Sequence, residues 1–243
     1  MSHGFQFQAA YTFSRAFITQ PFGINTAPYL VHLYEPNNNY RPQRLIINYV
    51  WNVPFGHPKS ALRYLVSDWA WSGVTTFQNG LPMTIADQSG SIFFGRSGRP
   101  GNAPGDPAQI CPGKTYGDLL SSGSMDSRAA SGLTGGTGFF TETATQANGI
   151  LCKIPAIGNG LGFGNMGGGV VLGPGQANWD MSLSNQFAVH EGQTLQFRSE
   201  FFNTFNHPQF ANPALAANQP MFGQITLTSV SPRVIQLALK YSF

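Results

Sequence analysis

Long stretches of period-two alternation between apolar and polar residues constrain the fold of this chain more than any other feature. Six stretches share the pattern: residues 5–14, 44–53, 67–79, 179–189, 195–205 and 235–243. Successive side chains of a β-strand point to opposite faces, so the pattern predicts strands. The stretches have 9–13 residues, whereas strands of soluble proteins average ~5–6 and a tilted strand needs ~9–11 to cross a bilayer. The lengths therefore favour strands that span a membrane.

The charged residues inside these stretches all fall on the polar side of the alternation. They are Arg44, Asp68, Asp180, Arg198, Glu200 and Lys240. A transmembrane barrel with an apolar exterior and a wet lumen has this arrangement. A soluble β-sandwich shows the same alternation with its apolar face turned inward, so alternation alone leaves both folds open. The third stretch could also extend beyond Pro82 through Met83 and Ile85.

The scarcity of charge points away from an ordinary water-soluble domain. Charged residues make up 9% of the chain and hydrophobic residues 42%, whereas about 25% of the residues in a typical soluble domain are charged. No Lys/Arg-rich run is present, so we expect no nucleic-acid partner. No run of apolar residues is long enough for a transmembrane helix, and the first residues do not have the pattern of a signal peptide.

Short and long links alternate between the six stretches. The short links are residues 54–66 and 190–193, and the long links are residues 15–40, 87–175 and 206–231. Bacterial barrels have short periplasmic turns and long extracellular loops, whereas a sandwich has no reason to alternate in this way. We therefore predict an antiparallel transmembrane β-barrel segment. Its Gly-, Pro- and Ser-rich segment at about 87–175 would be an extracellular loop that could fold over the barrel mouth.

Several short motifs follow one another in a fixed order along the chain. They are Tyr-Thr-Phe-Ser-Arg at 11–15, Val-Pro-Phe-Gly at 53–56, Trp-Ala-Trp-Ser-Gly at 69–73, Asn-Trp-Asp-Met-Ser-Leu at 178–183, Glu-Phe-Phe-Asn-Thr-Phe-Asn-His-Pro at 200–208 and Lys-Tyr-Ser-Phe at 240–243. In this order they resemble the C-terminal barrel of TonB-dependent outer-membrane receptors, in the group with a carboxypeptidase-regulatory-like domain at the front. The chain departs from that pattern at Gly168 and Gly169, where the family often has Arg-Asn.

The resemblance implies a receptor in the outer membrane that takes up a scarce solute with energy supplied through TonB. It also implies a signal peptide, a plug domain and a barrel of about twenty-two strands. Because the smallest closed barrels need about eight strands, we expect the chain to be the C-terminal part of a larger barrel, without plug or signal peptide. The implied partners are outer-membrane lipid, the rest of the barrel and plug, the TonB system, the barrel-assembly machinery and an unknown small solute.

Two sets of residues are candidates for roles at the membrane. Phe243, Tyr241, Leu239 and Leu237 resemble the C-terminal signal read by the barrel-assembly machinery, although a strand can simply end in Phe. A second set contains aromatic residues near the short links: Trp51, Phe55, Trp69, Trp71, Phe187 and Tyr241. In a barrel this set would form an aromatic girdle at the periplasmic interface. In a sandwich it would form part of the core.

Four charged residues are candidates for contacts in the lumen: Asp180, Arg198, Glu200 and Lys240. Arg198 and Glu200, two residues apart on the polar face, could touch a solute or the plug. They could equally pair with groups on neighbouring strands for purely structural reasons, because an isolated charge at such a position is costly.

Cys111 and Cys152 are the only cysteines and both fall in the third link, where they could form one disulfide on the cell surface. Free thiols or a metal pair are the alternatives, and two cysteines without CxxC spacing make a poor metal site.

The sequence leaves three functions open. The resemblance favours part of a TonB-dependent transporter, and a structural or adhesive barrel without active transport is the second possibility. The third is a soluble sandwich that binds carbohydrate. The sequence has no GxSxG, HExxH or paired-carboxylate pattern, so we expect neither an enzyme nor a cofactor.

Overall fold

The computed structural model describes residues 4–21, 32–36, 39–54, 67–87, 106–136, 138–142, 149–153, 156–157, 160–161 and 164–243. The strands in chain order are β1 Phe5–Phe13, β2 Phe17–Pro21, β3 His32–Pro36, β4 Gln43–Asn52, β5 Trp69–Gln78, β6 Pro82–Met83, β7 Ala86–Asp87, β8 Asp106–Pro107, β9 Gln109–Ile110, β10 Leu151–Cys152, β11 Ala156–Ile157, β12 Gly160–Leu161, β13 Val171–Leu172, β14 Gln176–His190, β15 Gln193–Phe202 and β16 Val234–Ser242. Two helices lie between β9 and β10: α1 Tyr116–Leu119 and α2 Met125–Leu133.

The six long strands form one antiparallel sheet in the order β1-β4-β5-β14-β15-β16. Each long strand pairs with the next long strand along the chain, so the sheet is an up-and-down meander. The predicted all-β fold with about six long antiparallel strands is confirmed. Within the described residues β1 pairs with β4 alone in this sheet and β16 with β15 alone, so the sheet is open at both edges.

Three details of the predicted strands are wrong. Asp68 lies just before β5, with a φ of 65° that a regular strand does not have, so it is not a charge on the polar face of a strand. β15 ends at Phe202 because Asn203 turns the chain with a φ of 52°. β5 ends at Gln78, so Met83 and Ile85 do not extend it.

A close approach of two backbones explains where β5 ends. A Cβ atom placed on Gly80 would lie 1.9 Å from the carbonyl oxygen of Gly173, so only glycine fits at position 80. Beyond this crossing the chain pairs β6 with β13 rather than with the large sheet.

Strand register sorts the side chains of the sheet into two faces. Tyr11 pairs with Leu45, Leu45 with Phe77 and Phe77 with Ala177, so one apolar row crosses four strands. The rows on either side repeat this arrangement because side chains alternate with a period of two. We call this side of the sheet the apolar face and the opposite side the polar face. The predicted alternation thus becomes two continuous surfaces.

The buried core of the described residues is formed by the links and not by the sheet. Its members are Met83, Ile85, Ala108, Ile110, Leu119, Ala129, Phe139, Phe140, Leu151, Met166, Val171, Ala217, Phe222 and Ile225. They come from the described parts of residues 79–175 and 203–233, which we call the loop module. Backbone hydrogen bonds join its two segments, for example from Phe139 N to Gly223 O at 2.8 Å and from Ala217 N to Ala86 O at 2.8 Å.

Helix caps explain where the two short helices begin. Thr115 and Asp118 form a capping box at the start of α1. The side chain of Ser124 accepts a hydrogen bond from Ser127 N at the start of α2. The helices bury Leu119 and Ala129 in the core of the loop module. In the part of the chain that the structure describes, no helix combines the length and apolar character needed to cross a membrane.

Candidate functional site

The aromatic residues predicted as a girdle gather at one end of the apolar face. Trp51 and Trp71 have ring centroids 6.4 Å apart, and Trp69 lies 6.3 Å from Phe197. Phe187 and Tyr241 occupy the same end of β14 and β16. Phe55 lies outside the described residues. This end of the sheet, where the short links join the strands, is called the short-link end below.

A second group of aromatic rings, which the sequence patterns had not revealed, lies at the opposite end of the apolar face. Trp179 packs edge-on against Phe77 with centroids 5.3 Å apart, and against Phe205 at 5.2 Å. Phe77 and Trp179 each stand close to a long link, which is the signal that could have revealed them. Trp179 and Phe187 are eight residues apart in β14, or about 26 Å at ~3.3 Å per residue and about 20 Å across a membrane after a ~40° tilt.

Two of the polar side chains on the apolar face, Asn185 and Ser199, are shielded. Asn185 is 2% exposed, and its Nδ2 donates a hydrogen bond to the carbonyl oxygen of Ser67 at 2.7 Å. Ser199 is also buried, and its hydroxyl donates to Leu183 O at 3.2 Å. By contrast, Leu239 on this face is 68% exposed. An apolar surface that hides its polar groups suits hydrocarbon, which cannot satisfy hydrogen bonds.

The polar face is lined mainly by neutral side chains. Its amide-bearing residues are Gln6, Gln8, Asn48, Asn52, Gln78, Gln176, Asn178, Gln186, Gln196 and Gln236, and its charged residues are Arg44, Asp180, Arg198, Glu200 and Lys240. The face therefore contains all four of the charges predicted to look into the lumen.

A shallow groove of about 320 Å³ crosses the polar face on β4, β5, β14 and β15. One cross-strand row runs from Ser72 to Ser182 and on to Glu200. The next row joins Asn48 to Val74 and Val74 to Asp180. The hydroxyls of Ser72 and Ser182 share a hydrogen bond of 2.8 Å between β5 and β14 at the side of the groove. Phe202 completes the lining and is 43% exposed.

Both carboxylates of the groove already have partners. Arg198 and Glu200 form an ion pair along β15. Asp180 Oδ1 accepts hydrogen bonds from the backbone N–H of Asn203 at 2.8 Å and from Asn178 Nδ2 at 3.0 Å. Lys240 stands away from the groove, opposite Gln196. The structure thus places Asp180 and Glu200 in one groove, pairs Glu200 with Arg198 and leaves Lys240 apart.

A second groove, of about 490 Å³, lies where the sheet meets the loop module. Its lining includes Tyr11 and Phe77 from the strands and His207 and Phe210 from the loop module. Nearby, Arg41 donates a hydrogen bond to Asn79 O at 2.5 Å. Partial burial lowers the pKa of the Arg41 guanidinium, and the charge of Arg44 lowers it further.

The loop module contains the disulfide and a buried carboxylate beside it. Cys111 and Cys152 are joined by a disulfide with Cα atoms 5.1 Å apart. Glu142 is buried and accepts backbone hydrogen bonds from Ile150 and from Leu151, the latter at 2.9 Å. These bonds hold residues 150–152 against the rest of the loop module. Across the described residues, no three His, Cys, Asp or Glu side chains are placed to hold a metal ion.

The proposed assembly signal ends the last strand at the short-link end. Leu237, Leu239 and Tyr241 share the apolar face of β16. The Phe243 ring follows directly after the strand, lies 5.9 Å from the Tyr241 ring and is 95% exposed. The alternation that suggested this signal therefore holds in the structure, while recognition by the assembly machinery stays a prediction.

A known protein family matches the chain. Residues 1–236 match the family model described as "Outer membrane beta barrel domain". No curated protein and no solved structure matches the chain. The match covers nearly all of the chain and agrees with the antiparallel sheet and its exposed apolar face. The chain belongs to the outer membrane beta barrel domain family and lies in the outer membrane.

Proposed function

We propose that the chain forms wall and outer loops of a TonB-dependent receptor that actively takes up a scarce solute. The observation that carries the proposal is the loop module, with its own buried core, attached to one end of a sheet whose polar face holds a groove. A receptor needs a stable surface that captures solute before transport.

The ordered motifs of the sequence support the finer assignment to TonB-dependent receptors. The polar face would look into the lumen and the apolar face into lipid. The plug and the TonB-contacting segment would belong to other parts of the receptor, and the barrel-assembly machinery would read the end of β16. We propose a transport role without catalysis, cofactor or nucleic acid.

Energy dependence is the property that tests this proposal. Cells that express the receptor would be given two labelled probes at limiting concentration, a ferric tricatecholate and maltohexaose. Uptake of at least one probe should fall to background when the gene for this chain is deleted, and also when TonB is deleted. A strain that keeps TonB but carries an unrelated barrel is the control.

Two results would reject active transport. Uptake that needs the gene but continues without TonB would assign the chain to a passive barrel. Loss of outer-membrane integrity without any effect on probe uptake would assign it a structural or adhesive role.

A further inference from the structure

We propose that the groove on the polar face, lined by Asn48, Val74, Asp180, Ser182, Glu200 and Phe202, binds a neutral saccharide. The inference deepens the proposed function, because it names the class of solute that the receptor would carry. It depends on the groove being reached from the water-filled side of the sheet, where the polar face lies.

The floor of the groove is apolar and exposed on an otherwise polar surface. Phe202 and Val50 are each 43% exposed, and Val74 is 40% exposed. All three are on the polar face, where an apolar side chain gains nothing from lipid. A pyranose ring has one face of C–H groups, which packs against an aromatic or aliphatic surface. The exposed apolar floor thus matches the apolar face of a sugar.

The rim supplies the other half of sugar recognition. Asn48 has an exposed amide that can donate and accept hydrogen bonds. The Ser72 and Ser182 hydroxyls and the carboxylates of Asp180 and Glu200 complete the rim. Vicinal hydroxyl groups need this mixture of donors and acceptors close to one another. The volume of about 320 Å³ lies within the range of ~300–1,000 Å³ for small-molecule sites.

The charges of the groove disfavour the other solute classes. A ferric chelate that carries negative charge would meet the carboxylates of Asp180 and Glu200. A cation would find both carboxylates already engaged, Glu200 by Arg198 and Asp180 by two N–H donors. A neutral polyhydroxylated solute avoids both costs, because it can share these hydrogen bonds without changing the charge of the groove.

The test uses outer-membrane vesicles that contain the full chain, with vesicles lacking it as background. The probes are four neutral hexasaccharides, maltohexaose, cellohexaose, xylohexaose and mannohexaose, together with a ferric tricatecholate and hexaglycine. We expect at least one hexasaccharide to bind. The affinity should not change when the salt concentration is raised, since screening affects charged ligands.

Two variants locate the binding at the groove. Phe202→Ala removes the apolar platform and Asn48→Ala removes the exposed amide. Each should weaken binding by about tenfold, or ~1.4 kcal/mol. Gln186→Ala is the matched control, since it removes an exposed amide from the same face of β14 outside the groove, and it should leave the affinity unchanged. If Phe202→Ala does not insert, Asn48→Ala and its control still decide.

The outcomes separate this inference from the proposed function. Failure of all four hexasaccharides to bind, or equal binding by the Asn48→Ala and Gln186→Ala variants, overturns the saccharide site. Binding of the ferric tricatecholate or hexaglycine alone overturns it as well, while TonB-dependent uptake of such a probe would leave the proposed function intact. Conversely, a hexasaccharide that binds in the groove but enters cells without TonB supports the site and rejects active transport.

Discussion

The apolar face of the sheet and the core of the loop module use the same residue types in opposite ways. Phe7 and Leu239 on the apolar face are 64% and 68% exposed, whereas Phe140 and Leu119 in the loop module are fully buried. The apolar face leaves its side chains exposed, as a surface that contacts lipid does. The loop module buries its apolar groups against one another, as a region surrounded by water must. Apolar side chains therefore stabilise the sheet by contact with lipid and the loop module by contact with one another.

The loop module is held together by packing and by polar contacts around that packing. The rings of Phe140 and Phe222 stack with centroids 4.6 Å apart. The Arg128 guanidinium lies 4.1 Å from the centre of the Phe139 ring and donates a hydrogen bond to Phe139 O at 2.8 Å. Partial burial lowers the pKa of Arg128. The described links are thus folded structure rather than loose connections.

Removal of the Phe140 ring from the core should have the largest effect on the stability of the loop module. Phe140→Ala should destabilise the loop module by about 3–5 kcal/mol, because it leaves a cavity in a packed core. Hydrogen exchange of the backbone amides of residues 108–136, 138–142 and 149–152 should accelerate by at least about a hundredfold. Leu239→Ala is the control, since its side chain faces lipid, and it should leave that exchange unchanged. Equal protection in the two variants would mean that the loop module has no independent core.

Removal of the disulfide should have the next largest effect. Cys111 and Cys152 are separated by 41 residues, and a closed loop of that length stabilises the folded state by about 2–4 kcal/mol. Dithiothreitol should therefore accelerate exchange in the loop module, as should the Cys111→Ser/Cys152→Ser variant without reductant. The reductant should have no further effect on the double variant. If the wild type and the variant exchanged at equal rates, the cross-link would be irrelevant to stability.

A charge introduced on each face of β16 in turn tests directly which face contacts lipid and which contacts water. Leu237→Lys puts an ammonium group on the apolar face and should cost about 2 kcal/mol in the bilayer, where charge is disfavoured. Gln236→Lys places the same group on the polar face one residue away and should cost little. Urea unfolding in lipid vesicles, followed by gel mobility with and without heating, measures the difference. A larger loss for Gln236→Lys would reverse the assignment of the two faces.

The sequence predicted the sheet well because its information is local. Alternation in a strand shows directly which side chains share a face. A strand that contacts lipid keeps this alternation along its whole length, because the face in contact with lipid must be largely apolar. The charges Arg198 and Glu200 could therefore be assigned to the polar face from the sequence alone. The groove could not be predicted from the sequence, because Asn48, Val74 and Asp180 come from three different strands. Only the register of the strand pairing brings them side by side. Alternation also assigns Phe202 to the polar face, two residues after Glu200, but nothing in its own stretch reveals the groove beside it.

The loop module could not be predicted for a different reason. Its core joins two links that are separated by β14 and β15, so no periodic pattern within either link reveals it. Phe140 and Phe222 meet across that distance. The glycine- and proline-rich composition predicted a loop, but composition does not say which apolar residues of a loop find each other. The position of Cys111 and Cys152 in one link was the clearest early sign of order there.

The smallest expected effect concerns the carboxylate of Asp118, at the start of α1 in the loop module. Asp118 Oδ2 accepts hydrogen bonds from the hydroxyl of Thr115 at 2.8 Å and from its backbone N–H at 2.7 Å. Both hydrogen bonds lower the pKa of Asp118, and the side-chain bond lowers it more than the backbone bond does. The cap at the start of α1 is therefore intact at neutral pH and is lost as the pH falls through the lowered pKa, because protonation removes the charged acceptor.

Thr115→Val removes the hydroxyl and keeps the shape of the side chain, so the pKa of Asp118 should rise towards its ordinary value. It should not rise fully, because the backbone N–H remains. Thr134→Val is the control, since that hydroxyl donates to Ala130 O at the end of α2 and touches no carboxylate. Carbon-detected NMR titration of the Asp118 carboxyl group measures the change. An identical titration curve in Thr115→Val would show that the hydroxyl does not stabilise the charged form. The start of α1 would then depend on backbone geometry alone.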